Sequence, residues 1–255
     1  MSKLEIQSLT LSVADKLLCK DLNFLITQNE SWALLGKNGV GKTSLLHSIA
    51  GLKDINAGDI KLNNRSLQDY NRAELAKEIG ILFQDGLETL PATVIELVML
   101  GRHPHAQSIF NDSEEDIALA FKALKDFSLT KLGDRKIDSL SGGEKQRAAI
   151  AMLITQEPNF FLLDEPSNHL DVAFQVSILN KVKEILNEKK ASMLMATHDI
   201  NLAARFCDKF VLLLDNGENF CGDKDEILDP DKLSDAYGCK IKKLETANHM
   251  YFYLE

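Results

Sequence analysis

The stretch that most constrains this chain is GKNGVGKT at residues 36–43, followed by Ser44. It matches the spacing Gly-x-x-x-x-Gly-Lys-Ser/Thr. It lies between SWALLG (31–36), which reads as a short buried strand, and 42–50, which reads as a helix with Gly51 in the C′ position. A strand, a glycine turn and a helix together form an anion site. Glycines allow backbone N–H groups to turn inward around phosphates, and the helix N-terminus adds a favourable dipole. Gly36, Lys37, Asn38, Gly39, Val40, Gly41 and Ser44 are read as this cradle. Lys42 is placed to reach β- and γ-phosphates, and the Thr43 hydroxyl is placed to ligate Mg²⁺.

A second element completes that chemistry. FFLLDE (160–165) reads as a buried strand that delivers Asp164 at its carboxyl end, where ligands of α/β sheets bind. Asp164 is expected in the Mg²⁺ shell. Glu165, one residue on and pointing the other way, is placed to polarise an attacking water as general base. These residues point to a motor or hydrolase that cleaves a nucleoside triphosphate. Guanine recognition would need an Asn-Lys-x-Asp element. NHLD (168–171) has His where Lys belongs and follows Asp164 almost directly, so GTP specificity is disfavoured.

Bulk properties narrow the class further. The 255 residues suit one large domain, and 45% hydrophobic with 26% charged residues suit a packed globular core. A net charge of −9 argues against a nucleic-acid binder held by bulk electrostatics. The longest unbroken apolar run, Ala148–Ile154, is too short to span a bilayer, so any membrane role is expected to come through a partner. The start of the chain alternates like a strand rather than a secretory signal. Cys19, Cys207, Cys221 and Cys239 include no Cys-x-x-Cys pair and are expected to be reduced thiols.

Periodicity predicts strands over 3–13, 22–27, 58–62, 79–83, 160–164, 191–197 and 209–215. From about 86 to 156 the pattern is helical. Ile117, Ala120, Phe121 and Leu124 share one predicted face, and Asp112 or Ser113 is a candidate cap. Ile178, Val182, Ile185 and Leu186 mark a further helix, 199–206 another, and Asp229-Pro230 the start of a late one. Strands alternating with helices imply an α/β core with a parallel sheet, interrupted by a helical subdomain.

LSGGE at Leu140–Glu144, followed by KQR and then by the FFLLDEP strand, resembles the signature of the ABC-type ATPases. Other elements match that family in order from about residue 3 to 240. Gln84 follows the strand ILF, SNHLD (167–171) resembles the D-loop, and His198 in ATHD resembles the switch histidine. The resemblance implies a P-loop NTPase with a RecA-like, mostly parallel core, an N-terminal antiparallel β subdomain and an inserted α-helical subdomain. It implies one domain over 1–255, with 1–85 and 157–255 as core and 86–156 as helical insert. It implies ATP and Mg²⁺ as cofactors, with Gln84 joining the metal or water shell. It implies that His198 contacts the γ-phosphate and orients the water or Glu165. Ser141, Gly142, Gly143 and Glu144 would then hold the γ-phosphate of a nucleotide bound to a second copy in a head-to-tail dimer, with Asp171 at that interface. Such members carry an aromatic residue that stacks on adenine. Here LSVADK (11–16) has none, and Val13 or a neighbour is left to give apolar contact.

GRHPH (101–105) and the run from Thr197 to Leu228 resemble the ATPases of metal-chelate importers for iron-siderophores, haem and cobalamin, the first two ranked ahead. His103 and His105 could be read as metal ligands, but no third ligand lies near. The preferred reading is a surface turn, with 86–105 receiving the membrane permease at the cytoplasmic face of a bacterial inner membrane. A substrate-binding protein would act indirectly. His47 and His249 read as surface or packing residues. The alternatives are an exporter or lipid-extraction ATPase, or a soluble ABC ATPase without transport. The heptad insertions of repair ATPases and the duplicated unit of translation ATPases are absent.

Overall fold

A computed structural model describes residues 2–84, 91–106, 113–168, 170–246 and 250–255, with Val172 described for its backbone alone. In chain order the elements are β1 (Lys3–Val13), β2 (Lys16–Thr27), β3 (Ser31–Leu35), α1 (Lys42–Ile49), β4 (Ala57–Leu62), β5 (Arg65–Ser66), α2 (Arg72–Glu78), β6 (Ile79–Leu82), α3 (Val94–Leu100), α4 (Glu114–Asp126), α5 (Gly142–Gln156) and β7 (Phe160–Asp164). They continue with α6 (Val172–Lys189), β8 (Ser192–Ala196), α7 (Ile200–Phe206), β9 (Lys209–Leu213), β10 (Asn219–Asp223), α8 (Lys224–Ile227), α9 (Pro230–Tyr237), β11 (Ile241–Glu245) and β12 (Met250–Leu254). Two compact units result: Met1–Tyr70 with Lys190–Glu255, and Asn71–Lys189.

The first unit holds an antiparallel sheet in the order β2-β1-β4-β5. Its inward residues alternate along β1 (Leu4, Ile6, Leu9, Leu11), and shifts of register bend the β1–β2 pair. Beside it, β3 pairs in parallel with both β8 and β9, and β10 adds to β9 antiparallel. β3 and β8 are buried at every position, as strands covered on both faces must be. The apolar runs that failed to alternate in sequence are these strands. The hairpin β11–β12 closes the unit. Phe252 is buried, and Asn201 of α7 bonds both its N–H and its carbonyl (2.7 and 2.9 Å).

In the second unit β6 runs parallel to β7. α3 and α5 begin with reciprocal capping boxes, Thr93 with Glu96 and Ser141 with Glu144. Ser113 caps α4, while Asp112 lies outside the described residues. The apolar face expected on α4 is rotated. Ala120, Ala123, Leu124 and Phe127 are buried, whereas Ile117 and Phe121 are 40% and 55% exposed. At 100° per residue, Ile117 and Phe121 stand on the flank of the buried stripe, and small alanines fill its centre. Among the described residues no helix is long and apolar enough to cross a membrane.

Candidate functional site

β3 ends at Leu35, and the chain leaves the sheet through Gly36 to Gly41 into α1. Gly36 has φ +145, and a Cβ there would sit 2.8 Å from the Leu213 carbonyl oxygen, so only glycine fits. At Gly39, on the exposed rim, an added Cβ would meet nothing within 4 Å, which leaves the mouth of the loop open. The first turn of α1, Lys42 to Ser44, follows the loop directly, and the N–H groups of a helix's first turn are those that an anion can bond. Lys42 is only 7% exposed. Its Nζ spans the loop, donating to the carbonyls of Gly36 (2.8 Å) and Lys37 (3.1 Å). Thr43 and Ser44 are half-buried, Asn38 is exposed and Val40 packs inward. The loop is braced from outside. Lys16 Nζ donates to the Gly39 carbonyl (2.9 Å), Asp215 pairs with Lys16 and Lys37, and the Gly36 N–H donates to the Tyr237 hydroxyl (3.4 Å). An open glycine rim, a buried ammonium and a hydroxyl in the first helical turn are the donor set a polyphosphate with Mg²⁺ requires.

His198 belongs to the same edge. Ala196 pairs with Leu34, and the Thr197 N–H donates to the Leu34 carbonyl (3.2 Å). Continuing that register sets His198 level with Gly36, and the imidazole is exposed. Asp199 caps α7 by accepting from the Leu202 N–H (2.9 Å), which fixes the turn that carries the histidine.

In the second unit all five residues of β7 are buried, and Asp164 at its end is 1% exposed. A carboxylate this deep is the hard oxygen donor that a divalent cation would need. Glu165 is 5% exposed and has φ +47. It therefore leaves the strand in the left-handed region instead of simply alternating from Asp164, at a cost of about 1–2 kcal/mol for a non-glycine residue. Leu82 pairs with Leu163, so exposed Gln84 follows β6 at the same end of the pair at which β7 delivers Asp164. Asp171 has a local task. Its carboxylate accepts from the Phe174 N–H (3.0 Å) and its carbonyl from the Gln175 N–H (2.9 Å), capping α6. His169 lies outside the described residues.

The signature stretch forms the exposed N-terminus of α5, with Ser141 as N-cap. The Glu144 N–H donates to Ser141 Oγ (3.3 Å), and the Ser141 N–H and hydroxyl both donate to Glu144 Oε2 (2.8 Å each). The Ser141 backbone and side-chain donors hold the Glu144 carboxyl below its usual range. A phosphate arriving here would compete with Glu144 for the one hydroxyl hydrogen. Sequence reasoning identified the serine but not its intramolecular acceptor, although Ser-x-x-Glu is itself the pattern of a capping box.

GRHPH divides between inside and outside. His103 is exposed, as a docking turn requires. Arg102 is 11% exposed and turned inward. It binds Asp116 (Nε, 2.6 Å), Glu157 (Nη1, 2.9 Å) and the Thr155 carbonyl (2.7 Å), and Glu157 also pairs with Lys189. His105 Nε2 lies 2.8 Å from the Gln156 carbonyl. Arg102 reaches inward because the adjacent Gly101 lets the turn press against α5, where a Cβ would stand 2.2 Å from the Met152 carbonyl. Within the docking segment 86–105, residues 86–90 lie outside the described residues. No group of three or more metal-ligating side chains occurs among the described residues. His47 is half-buried in α1, and His249 lies outside the described residues. Burial pushes the thiols of Cys19 and Cys221 up to about 11 and about 12, as expected for inert packing cysteines.

Glycine-cradled loops at the carboxyl edge of parallel strands mark the P-loop nucleoside triphosphatases, and that is the class of this protein. Residues 19–168 match the ABC transporter family model. The petrobactin import ATP-binding protein FpuD of Bacillus anthracis is 34% identical over 234 residues, covering 92% of this chain and 86% of that one. The ferric enterobactin transport ATP-binding protein FepC of Escherichia coli (strain K12) is 32% identical over 240 residues, covering 94% and 89%. An inward-facing ABC transporter classed as metal-chelate type superposes with a TM-score of 0.83 at 25% identity, covering 100% of this chain and 97% of that one. The chain belongs to the ABC transporter family, binds ATP, and is an ATPase coupled to transport.

Proposed function

We propose that this chain is the ATP-hydrolysing subunit of a bacterial importer for a metal chelate, with an iron-siderophore ranked ahead of haem and cobalamin. The carrying observation is the GRHPH turn on the helical unit, with His103 exposed on it, the element that resembles metal-chelate importers. The import and transport roles of FpuD and FepC, and the metal-chelate class of the structural relative, support the same reading.

In this reading the helical block 86–156 is an insert in a nucleotide-binding core formed by 1–85 and 157–255. The loop 36–43 and Ser44 hold the triphosphate of ATP through backbone N–H groups, with Lys42 neutralising the β- and γ-oxygens. Thr43, Asp164 and Gln84 would hold Mg²⁺, which would screen phosphate charge when bound. Glu165 takes a proton from the attacking water, and His198 orients that water or the γ-phosphate. Two copies act head to tail, so that Ser141, Gly142, Gly143 and Glu144 of one meet the nucleotide held by the other, with Asp171 at the junction. The exposure of the α5 N-terminus supports this arrangement. Closure on ATP and reopening after hydrolysis would move the helical units and the permease docked on them.

The docking surface includes 86–105 and the exposed apolar side chains Leu100, Ile117 and Phe121, left over where α3 and α4 pack on one another. The subunit is peripheral, on the cytoplasmic face of the inner membrane, and a substrate-binding protein is its indirect partner through the permease. Vesicles reconstituted with the permease and the ATPase test the cargo. Labelled ferric-siderophore should accumulate only with ATP and an intact Lys42. Accumulation of haem or cobalamin instead would overturn the ranking, and outward movement would overturn import.

A further inference from the structure

We propose that Gln146 is a positioning residue for Glu165, tying the signature helix to the short backbone segment that carries the base. The inference rests on reading Glu165 as the general base. Glu165 combines two unfavourable features: it is buried, and its φ of +47 is rare for a residue with a side chain. The next residue is Pro166, whose ring biases the residue before it toward extended backbone, not toward the left-handed region. Local preference therefore opposes the observed conformation, and contacts from elsewhere must maintain it.

Those contacts are present. Gln146 lies on α5, past the glycines of the signature, and is 6% exposed. Its Nε2 donates to the Pro166 carbonyl at 3.2 Å. The Asn168 N–H donates to the Glu165 carbonyl (3.1 Å). From the far side Gln175 Nε2 donates to the carbonyls of Ser167 (3.2 Å) and Leu170 (3.0 Å). A buried amide spent on one backbone carbonyl is a specific arrangement, because a side chain of that size would otherwise be apolar. Gln146 is also the member of this set that shares a helix with Ser141. A shift of α5 when its exposed end meets a ligand is thereby passed to the residue next to the base.

The test uses Gln146→Met, which keeps the volume and removes the donor. Turnover should fall by about tenfold or more, as expected when a reacting group is misplaced, while the dissociation constant for ATP stays within about twofold of wild type. In a Glu165→Gln background, Gln146→Met should leave ATP-dependent dimerisation intact, since the base is already gone and only its placement is affected. Gln175→Met, at a half-exposed position that tolerates substitution, should show the same turnover loss more weakly if Gln146→Met fails to fold. Wild-type turnover in both glutamine variants would overturn the proposal. So would a Glu165→Gln/Gln146→Met double variant that folds but no longer dimerises with ATP, because that outcome assigns Gln146 to the signature surface itself. Normal turnover in Glu165→Gln alone would remove the base reading, and with it the reason to position that residue.

Discussion

Lys42 shows how burial and charge are reconciled at one residue. Its ammonium is nearly excluded from water, yet it donates to two carbonyls of its own loop, Gly36 and Lys37. A phosphate arriving at the rim offers it a charged acceptor in place of neutral ones, and charge-assisted bonds are the stronger kind. Lys42→Ala should lower ATP turnover by about 100-fold or more, measured as released phosphate; full activity would remove the loop from the mechanism. Val13 poses the base-recognition question at the same scale. It is exposed at the tip of the β1–β2 hairpin, and Lys16, three residues on, is tethered to Gly39. With no aromatic residue in LSVADK, Val13→Tyr should tighten ATP by roughly tenfold, from about 1–1.5 kcal/mol of stacking, and leave inorganic tripolyphosphate unaffected. Equal tightening of both in a titration would contradict apolar base contact at this hairpin.

Among the elements, the ion-pair network around Arg102 is the clearest mechanical feature. It joins the GRHPH turn, the start of α4, the end of α5 and, through Glu157, the end of α6. Removing Arg102 takes one charged partner from each of two carboxylates, leaving Glu157 with Lys189 and Asp116 with Ser113, so Arg102→Ala should destabilise the chain by about 2 kcal/mol near neutral pH in denaturant titrations. The Ser113 hydroxyl and Arg102 hold the Asp116 carboxyl below its ordinary value of 3.8. Burial pushes Glu157 up, but Lys189 and Arg102 outweigh it and leave that carboxyl below 4.5. Both carboxyls are thus depressed in the folded state. Their contribution is full above the unfolded values and is lost as pH falls through the lower folded ones. The stability gap between wild type and Arg102→Ala should therefore be constant above about pH 5 and shrink below about pH 4. A gap independent of pH down to acid would mean that packing of the Arg102 stem, not its charge, is responsible. By contrast, exposed His103 is a surface substitution. His103→Ala should keep the melting temperature and basal ATPase while reducing uptake.

The elements also show what could be read in advance. The strand–turn–helix around 36–43, the buried β7, the Asp229-Pro230 start of α9 and the capped α4 were legible because each carries strong local chemistry: glycines, an apolar run, caps. α2 was not anticipated. It has seven residues and a single buried side chain, Leu75, so no periodicity could form, although Asn71-x-x-Glu74 was a usable start signal. β2 begins at Lys16 rather than 22 because register shifts opposite β1 break its alternation. The hairpin β11–β12 holds to the molecule mainly through Ile241, Phe252 and the bonds from Asn201, contacts too sparse to leave a pattern. In the site, residue identities were legible from spacing. The left-handed turn at Glu165 and the inward Arg102 were not, since the first depends on backbone geometry and the second on partners distant in sequence, whereas the Ser141–Glu144 pairing was a local capping-box pattern that went unused.

For the whole molecule, the central claim is that one chain carries both a phosphate loop and an exposed signature end, and that the two serve nucleotides in different copies. Such a split makes oligomerisation a consequence of nucleotide binding. The most direct measurement is size-exclusion chromatography with light scattering on Glu165→Gln, in which slowed hydrolysis preserves the closed state. With ATP the protein should elute as a dimer carrying one nucleotide per chain, and with ADP or no nucleotide as a monomer. Adding Ser141→Arg should return the ATP sample to monomer while leaving ATP bound. An ATP-loaded Glu165→Gln protein that remains monomeric, or a dimer indifferent to Ser141→Arg, would contradict the account.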